Sequence, residues 1–315
     1  MKIKLAFTVL FSIICLLNCS LIRHQMTDEL SYGQKPPGKV PELYHPIYSF
    51  LEGVKTDYII VSPDGKEICY MVEDTSSQER YDRNYIYYAK MVNGKWNNPE
   101  IAYFVANQGK GSLPQFSPDG NRFSYSYKGD LWTSVKKSGR WSLAEKYPEP
   151  VNSKEYECGF SLVKGDRFYF ASGGRPEGKS KQCDLYCATM SNGTFGPALN
   201  LGNLNTERSE CVLAVSPDEK YIIFTRYFNK SGRNAVDLYI SFRKKDGTWT
   251  VARDLGPPFN SPCSNHSPRL SPDGRVFFYS QTIWTDTTAG ETKHYWVSTL
   301  PFDEMRESEL MNTDN

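Results

Sequence analysis

Polar side chains recur at matched distances before short turns in this 315-residue chain. Six residues before a turn stand Glu157, Glu210 and Asn265, and five residues before a turn stands His266. Asp57 stands five residues before the first such turn along the chain. Two carboxylates could perform acid–base chemistry on a sugar, with a stereochemical outcome set by their separation. The alternatives are ligand binding, or capping of strand ends by bonds to backbone N–H groups. Recurrence at equivalent positions favours capping, because a catalytic pair is usually asymmetric.

These residues stand before hairpins that repeat along the chain. "FSPDGNRFSYSY", from Phe116, combines a Ser-Pro-Asp-Gly turn with a strand whose aromatic residues alternate with polar ones. Similar hairpins begin at Val61, Val215 and Leu270, and a degenerate one, "LVKGDRFYFASG", begins at Leu162. A recurring unit with strand signals and no helix signals predicts repeated small sheets.

Each hairpin is followed by two further strand signals. The third strand is typified by "DLY" or "DLW", as at Asp130, Asp184 and Asp237, and the fourth opens with Gly-x-aromatic, as at Gly139. A four-stranded antiparallel sheet with two apolar faces is stable only when neighbouring sheets cover it. The sequence therefore predicts an all-β fold, a β-propeller of four-stranded antiparallel blades.

The last unit lacks a fourth strand, since residues 301–315 form a polar tail. We expect a strand within "VPELYHPIYSF", Val40 to Phe50, to complete it and close the ring. This predicts five blades over residues 40–300. Six blades are the alternative, and they would require a whole blade within Val40–Lys55, which is too short.

The "SPDG" hairpins resemble the WD-like repeats of TolB-type β-propellers. The "YGQKPPGKVPELYHP" opening, "NSKEYE", "NTERSE" and the "DLY" strands resemble exported bacterial propellers of largely unassigned function. The resemblance covers Tyr32 to about Leu300, and its motifs are specific for the fold rather than for an activity. It implies a binding or scaffold domain that faces the cell envelope.

The N-terminus has the features of an export signal. Lys2 and Lys4 precede the apolar run Leu5–Leu17, which is too short to span a membrane and suits a signal peptide. "LLNCS" resembles a lipobox and predicts cleavage after residue 18 with lipid attachment at Cys19, and a plain cleaved signal peptide is the alternative. Residues 19–39 are polar and predict a tether.

Composition limits the remaining possibilities. A formal charge of +1 favours neither nucleic acid nor an acidic membrane surface. Six cysteines follow Cys19, and in an exported protein some of them can pair, although the sequence does not choose the pairs. Cys183 and Cys187 would lie about 13 Å apart on a strand, too far for one ion, so we expect no metal site. We found no cofactor motif.

Together these features predict an exported, membrane-anchored lipoprotein of the periplasm or cell surface. We expect a non-catalytic monomer that binds an envelope protein or a glycan through the mouth of the propeller. Its candidate ligand-binding residues are Glu157, Glu210, Asn265, His266 and Asp57. The alternative function is a glycosidase-like enzyme that uses the carboxylates at the channel mouth.

Overall fold

The computed structural model describes residues 35–45, 48, 51, 56, 58–77, 83–230, 233–285 and 288–313. Strands dominate, in five separate antiparallel sheets. The predicted signal peptide, Cys19 and Asp57 lie outside the described residues, as does most of the predicted tether. The predicted domain boundaries therefore stay predictions.

The five sheets are five blades of a β-propeller. Blade 1 contains β2 (Ile59–Val61), β3 (Glu67–Glu73), β4 (Asn84–Val92), β5 (Lys95–Trp96) and β6 (Glu100–Ile101). Blade 2 contains β7 (Ser112–Phe116), β8 (Arg122–Tyr127), β9 (Asp130–Lys137), β10 (Arg140–Trp141) and β11 (Glu145–Lys146). Blade 3 contains β12 (Tyr156–Leu162), β13 (Arg167–Gly173), β14 (Cys183–Ser191), β15 (Thr194–Phe195) and β16 (Leu199–Asn200). In these blades the fourth strand is two short segments, and both pair with the third strand.

The remaining two blades complete the ring. Blade 4 contains β17 (Glu210–Val215), β18 (Tyr221–Lys230), β19 (Arg233–Phe242) and β20 (Arg253–Asp254). Blade 5 contains β21 (Ser264–Leu270), β22 (Val276–Thr285), β23 (Thr288–Ser298) and β1 (Glu42–Leu43). Short 3-10 helices span Asn107–Gly109 and Gly202–Leu204. The five-bladed architecture of four-stranded antiparallel sheets predicted from the repeats is thus confirmed.

The ring closes without a covalent link between its ends. β1 pairs antiparallel with β23, so that Glu42 lies opposite Trp296. The Tyr44 ring packs at 5.2 Å from Phe278 and 5.1 Å from Trp296, measured between ring centroids. The N-terminal strand therefore completes the last blade, as the sequence predicted.

Each Ser-Pro-Asp hairpin is held by its own side chains. In blade 2, the Ser117 hydroxyl donates to Asp119 and accepts from the Arg122 backbone N–H at 2.9 Å. Gly120 has φ 71°, a left-handed conformation that favours glycine. The turn chemistry expected from the sequence therefore also sets the register of the two inner strands.

Aromatic side chains form the core between the blades. The largest fully buried side chains are all tyrosine or phenylalanine, among them Phe104 and Phe123, whose ring centroids are 5.0 Å apart between blades 1 and 2. Edge-on packing of this kind suits two sheets that face each other. The high aromatic content is thus explained first by packing.

The C-terminal tail contains a helix that the sequence analysis did not predict. Helix α1 (Leu300–Thr313) begins after Thr299, with Pro301 and Asp303 in its first turn, where proline and acidic residues are favourable. Phe302 is fully buried against Phe259 and Phe277. The helix is therefore anchored to the propeller mainly through Phe302, with Met305 packed against the same core and Glu309 paired with Arg253. No helix in the described part of the chain is long and apolar enough to cross a membrane.

Candidate functional site

The predicted site residues stand at the starts of neighbouring first strands. In three blades a hydroxyl side chain lies four residues before the candidate, and the candidate oxygen accepts from that hydroxyl and from the backbone N–H of the same residue. A bulge follows each candidate along its strand. The pairs are Ser153 with Glu157, Thr206 with Glu210, and Ser261 with Asn265.

Glu157 is enclosed by blade 3. Its Oε1 accepts from the Ser153 hydroxyl at 2.8 Å, the Ser172 hydroxyl at 3.0 Å and Arg175 Nη2 at 3.1 Å. The guanidinium also donates to two backbone carbonyls and lies over the Tyr186 ring. Burial raises the pKa of Glu157, although the hydrogen bonds from Ser153, Ser172 and Arg175 act in the opposite direction.

Glu210 repeats this arrangement in blade 4. Its Oε1 accepts from Arg226 Nε at 2.7 Å, and the Glu210 side chain is 0% exposed. Arg226 lies over the ring of Tyr239, 4.2 Å from its centroid. A shallow depression of about 450 Å³ is lined by Arg226 and Tyr239 with residues 206–208, so the guanidinium lies between the carboxylate and this depression.

Asn265 and His266 have different surroundings from the two glutamates. Asn265 is buried, and its amide donates at 2.8 Å to Asp237, the first residue of the "DLY" motif in the preceding blade. The His266 ring bonds Ser267 through Nδ1 at 2.9 Å and Thr282 through Nε2 at 2.7 Å. Both side chains therefore join elements of the fold to one another.

These contacts match those of strand caps. Each carboxylate bonds a loop hydroxyl, a backbone N–H and a buried guanidinium, and Glu157 and Glu210 have different partners. A glycosidase needs both carboxylates to reach a substrate across an open pocket. Because both are at most 1% exposed, the geometry does not favour this alternative.

Sequence reasoning missed Arg175 and Arg226. Arg226 lies directly opposite Glu210 in the strand register, whereas Arg175 follows the end of its strand. Only the pairing of strands brings these arginines to the carboxylates. A systematic search for cationic residues near the ends of second strands would have identified them.

Three asparagines, each eleven residues before a turn, bond the third strand of the preceding blade. Asn205 Oδ1 accepts from the Leu185 N–H at 2.7 Å, and its Nδ2 donates to the Leu185 carbonyl at 2.9 Å. Asn152 and Asn260 make the same two bonds to Leu131 and Leu238. Each asparagine side-chain amide thus pairs with the third strand as the backbone of a neighbouring strand would.

The central channel is filled by side chains. First strands of all five blades line a space of only about 30 Å³, room for one or two water molecules. Arg269 crosses this region and packs over the rings of Tyr58 and Phe278, at 4.6 and 4.9 Å from their centroids. The channel itself therefore offers no room for a sugar or a peptide.

A larger cavity opens between blades 2 and 3, on the side of the hairpins. Its volume is about 460 Å³, within the usual range for ligand sites. Tyr147, Phe168 and Phe195 lie beneath it and are 3%, 4% and 9% exposed, and Lys164 and Asp166 belong to its exposed rim. We call this space the junction cavity.

The degenerate hairpin of blade 3 explains why this junction is open. A Cβ added to Gly120 would lie 3.5 Å from Pro63, and one added to Gly274 would lie 2.7 Å from Pro217, so those hairpins pack closely on the preceding blade. At Gly165 nothing lies within 4 Å of such a Cβ. The blade 3 turn has five residues between its last paired positions, where the blade 2 turn has six.

The polar groups around the junction cavity carry both signs of charge. Arg122 bonds Thr133 through Nη1 at 3.2 Å, and Arg167 pairs with Glu219 of blade 4. Asp166 and Lys164 are exposed. A mixed charged rim above an aromatic floor suits a polar ligand with one apolar face.

The described cysteines include one pair and four free thiols. Cys158 and Cys183 form a disulfide, whereas Cys69, Cys187, Cys211 and Cys263 are free. Cys211 Sγ lies 3.7 Å from Cys158 Sγ. Burial, with a smaller contribution from the charges of Glu210 and Asp184, raises the pKa of the Cys211 thiol to about 11, although a hydrogen bond with Ser209 acts in the opposite direction.

Comparisons with known proteins give only distant structural similarities. No family model and no curated protein matches the chain. A structure assigned as TolB from Agrobacterium tumefaciens is similar at a TM-score of 0.48 and 15% identity, over 78% of this chain and 77% of that one. A structure assigned as a 6-phosphogluconolactonase from Bacteroides uniformis gives a TM-score of 0.43 and 11% identity, over 75% and 69%.

In some longer proteins, the part similar to this chain is only a fraction of the whole structure. Prolyl oligopeptidase B from Galerina marginata aligns at a TM-score of 0.44 and 15% identity over 72% of this chain, which spans only 30% of that protein. A TolB is thus among the similar structures, as the resemblance predicted. With such low TM-scores, these alignments assign neither an activity nor a partner. The blade topology itself defines the class of protein, a five-bladed β-propeller.

Proposed function

We propose that this chain is an exported, lipid-anchored β-propeller that binds a protein or glycan partner in the cell envelope without catalysing a reaction. The observation that carries the proposal is the junction cavity. It combines about 460 Å³ of space, an aromatic floor and a charged rim, at the hairpin that lacks the Ser-Pro-Asp turn of the other four.

The cavity fits a protruding group of a larger partner. A sugar ring or an aromatic side chain fits inside it and would place its polar edge against Lys164, Asp166 and Arg122. The proposed contact surface is therefore the hairpin side of the propeller. Glu157 and Glu210, at the other ends of the first strands, support the fold beneath the opposite face.

The proposed location rests on the N-terminal sequence. The apolar run before "LLNCS" would direct export, and Cys19 would carry the lipid. The propeller would then act as a monomer held at the periplasmic or outer surface of a membrane. Metabolic labelling with a tagged fatty acid should mark the wild-type chain and leave Cys19→Ser unmarked. Labelling of that variant would refute the anchor.

Site-specific photo-crosslinking in cells tests the binding surface. A photoreactive phenylalanine analogue at Lys164 should yield a discrete adduct, and the same analogue at Lys66, an exposed position in the blade 1 hairpin, should not. Mass spectrometry of the adduct distinguishes a peptide from a glycan. Equal labelling at both positions, or no adduct at Lys164, would exclude the junction cavity as the contact site.

A charge reversal provides the matched functional comparison. Lys164→Glu should weaken capture of the crosslinked partner at least several-fold, whereas Lys66→Glu should leave it unchanged. Both side chains are exposed, so we expect each variant to retain its stability within about 0.5 kcal/mol. Equal capture by both variants would contradict the proposal.

A further inference from the structure

Three cysteine sulfurs meet where blade 3 faces blade 4. Cys158 lies in the bulge of β12, Cys183 begins β14, and Cys211 lies in the bulge of β17. Their Sγ atoms all lie within 4.8 Å of one another. Cys158 and Cys211 are half-buried, so the cluster lies near the surface.

The spacing of the sulfurs suits a shared ion. Two thiolates on one tetrahedral zinc ion, each about 2.3 Å from the metal, lie about 3.8 Å apart. Cys158 Sγ and Cys211 Sγ, from different blades, are already 3.7 Å apart. Nothing in the blade repeat requires sulfur here, because Ser112 and His266 occupy the corresponding slot in blades 2 and 5.

Buried negative charge near the cluster adds a second observation. Asp184, next to Cys183 in sequence, is 2% exposed, and its Oδ1 accepts no hydrogen bond from the described residues. Its charge acts on the Cys211 sulfur, as does that of Glu210. The Ser180 N–H and the Lys179 charge offset part of the Asp184 charge, and a cation bound by the sulfurs would offset more of it.

We infer that Cys158, Cys183 and Cys211 form a binding site for a thiophilic metal ion such as Zn²⁺, which is filled when all three are reduced. Binding forms three metal–sulfur bonds and releases one proton from each thiol to solvent. The disulfide form leaves only Cys211 as a thiol, so the ion and the Cys158–Cys183 bond exclude each other. Opening the disulfide takes two electrons and two protons, supplied by a dithiol. The site then joins two blades through one ion.

This site differs from the one rejected in the sequence analysis. Cys187, four residues after Cys183 on the same strand, is buried in the core between blades 3 and 4 and does not belong to the cluster. The partner of Cys183 is instead supplied by a neighbouring strand and a neighbouring blade. No spacing motif along the chain would have revealed it.

The experiment uses the soluble chain from Ser20 to Asn315, refolded from a fully reduced state with a phosphine reductant in the absence of oxygen. Titration with Co²⁺ should give one equivalent of binding, with sulfur-to-cobalt charge-transfer bands and the visible bands of a tetrahedral ion. Zn²⁺ should displace the cobalt. Cys211→Ser should bind at least about 100-fold more weakly, more than the loss typical of an outer-shell group.

Two further variants make the result specific. Cys187→Ser serves as the matched control and should bind like the wild type. Asp184→Asn keeps the three thiols and should bind about 10–100-fold more weakly. Thermal unfolding of each variant without metal verifies that it is folded.

The opposite results would overturn the inference. These are a reduced wild type that gives no thiolate–cobalt bands, equal affinity in Cys211→Ser, or a loss confined to Cys187→Ser. The cluster would then be a disulfide with a neighbouring thiol.

Discussion

Replacing Glu210 with alanine should destabilise the propeller by about 3–5 kcal/mol, the usual cost of removing one member of a buried ion pair. The Arg226 side chain is only 11% exposed, and it would lose its carboxylate partner at 2.7 Å. Thr206 would also lose the acceptor of its backbone N–H and of its hydroxyl. The expected loss is therefore one of stability, in contrast to the loss of ligand binding expected from a surface carboxylate.

Urea unfolding of the chain from Ser20 to Asn315 measures this loss of unfolding free energy. With a slope of about 3 kcal/mol per molar urea, the midpoint should fall by roughly 1–1.7 M. At about 2 °C per kcal/mol, the melting temperature should fall by roughly 6–10 °C. Glu210→Gln should lose less, because an amide oxygen can still accept from Thr206.

Two comparisons separate the contribution of the buried ion pair from the effect of removing any glutamate. Glu73→Ala removes a pair with Arg83 in which the side chains are 49% and 41% exposed, and it should cost less than about 1 kcal/mol. In the double variant Glu210→Met with Arg226→Met, the unpaired charge disappears and much of the stability should return. If Glu210→Ala unfolds at the wild-type urea concentration while it loses partner capture, the capping interpretation is refuted.

Three further changes test other parts of the fold. Asn205→Ala should cost roughly 1–3 kcal/mol for each Leu185 backbone group left unpaired, and hydrogen exchange at the Leu185 amide should accelerate; unchanged exchange would contradict the role of the asparagine. Phe302→Ala should cost about 3–5 kcal/mol in urea unfolding, and a negligible loss would mean that helix α1 is not anchored by this ring. Burial opposes ionisation of Asp119, but hydrogen bonds from Ser117 and Asn121 outweigh it and lower its pKa below 3.8. The stabilisation by Asp119 is thus present above the pKa of the unfolded chain and is lost as the pH falls through the pKa of the folded protein. Asp119→Asn should therefore make the melting temperature decline less steeply below about pH 4. A melting temperature that declines as steeply as in the wild type would refute this.

Much of the fold could be predicted because it is encoded locally and repeatedly. A Ser-Pro-Asp-Gly turn determines its own geometry, and the alternation of Phe123 and Tyr125 with serine determines which side chains share one face of the strand. Closure by the strand Glu42–Leu43 followed from counting strands, since the last unit was one short. Helix α1 was missed because its main apolar anchors, Phe302 and Met305, lie in a largely polar segment.

The site could be predicted less well because its contacts are not local. The position of Glu210 was visible in the repeat, but its neutralisation by Arg226 depends on the register of two strands. The junction cavity depends on the absence of a contact between hairpins that are far apart in sequence. The degenerate turn at Val163 was recognised, yet a shorter turn alone does not indicate which neighbour it fails to touch.

Blade 3 combines these departures from the repeat. Its hairpin lacks the serine, proline and aspartate that hold the other turns, and the same blade contributes Cys158 and Cys183 to the sulfur cluster. In a propeller, every blade packs against its neighbours in the same way. A blade whose sequence departs from the common pattern therefore lacks some of these contacts. The open junction on one side of blade 3 and the sulfur cluster on the other are therefore the two places that we propose for binding. The four Ser-Pro-Asp hairpins and the buried glutamate–arginine pairs maintain the ring.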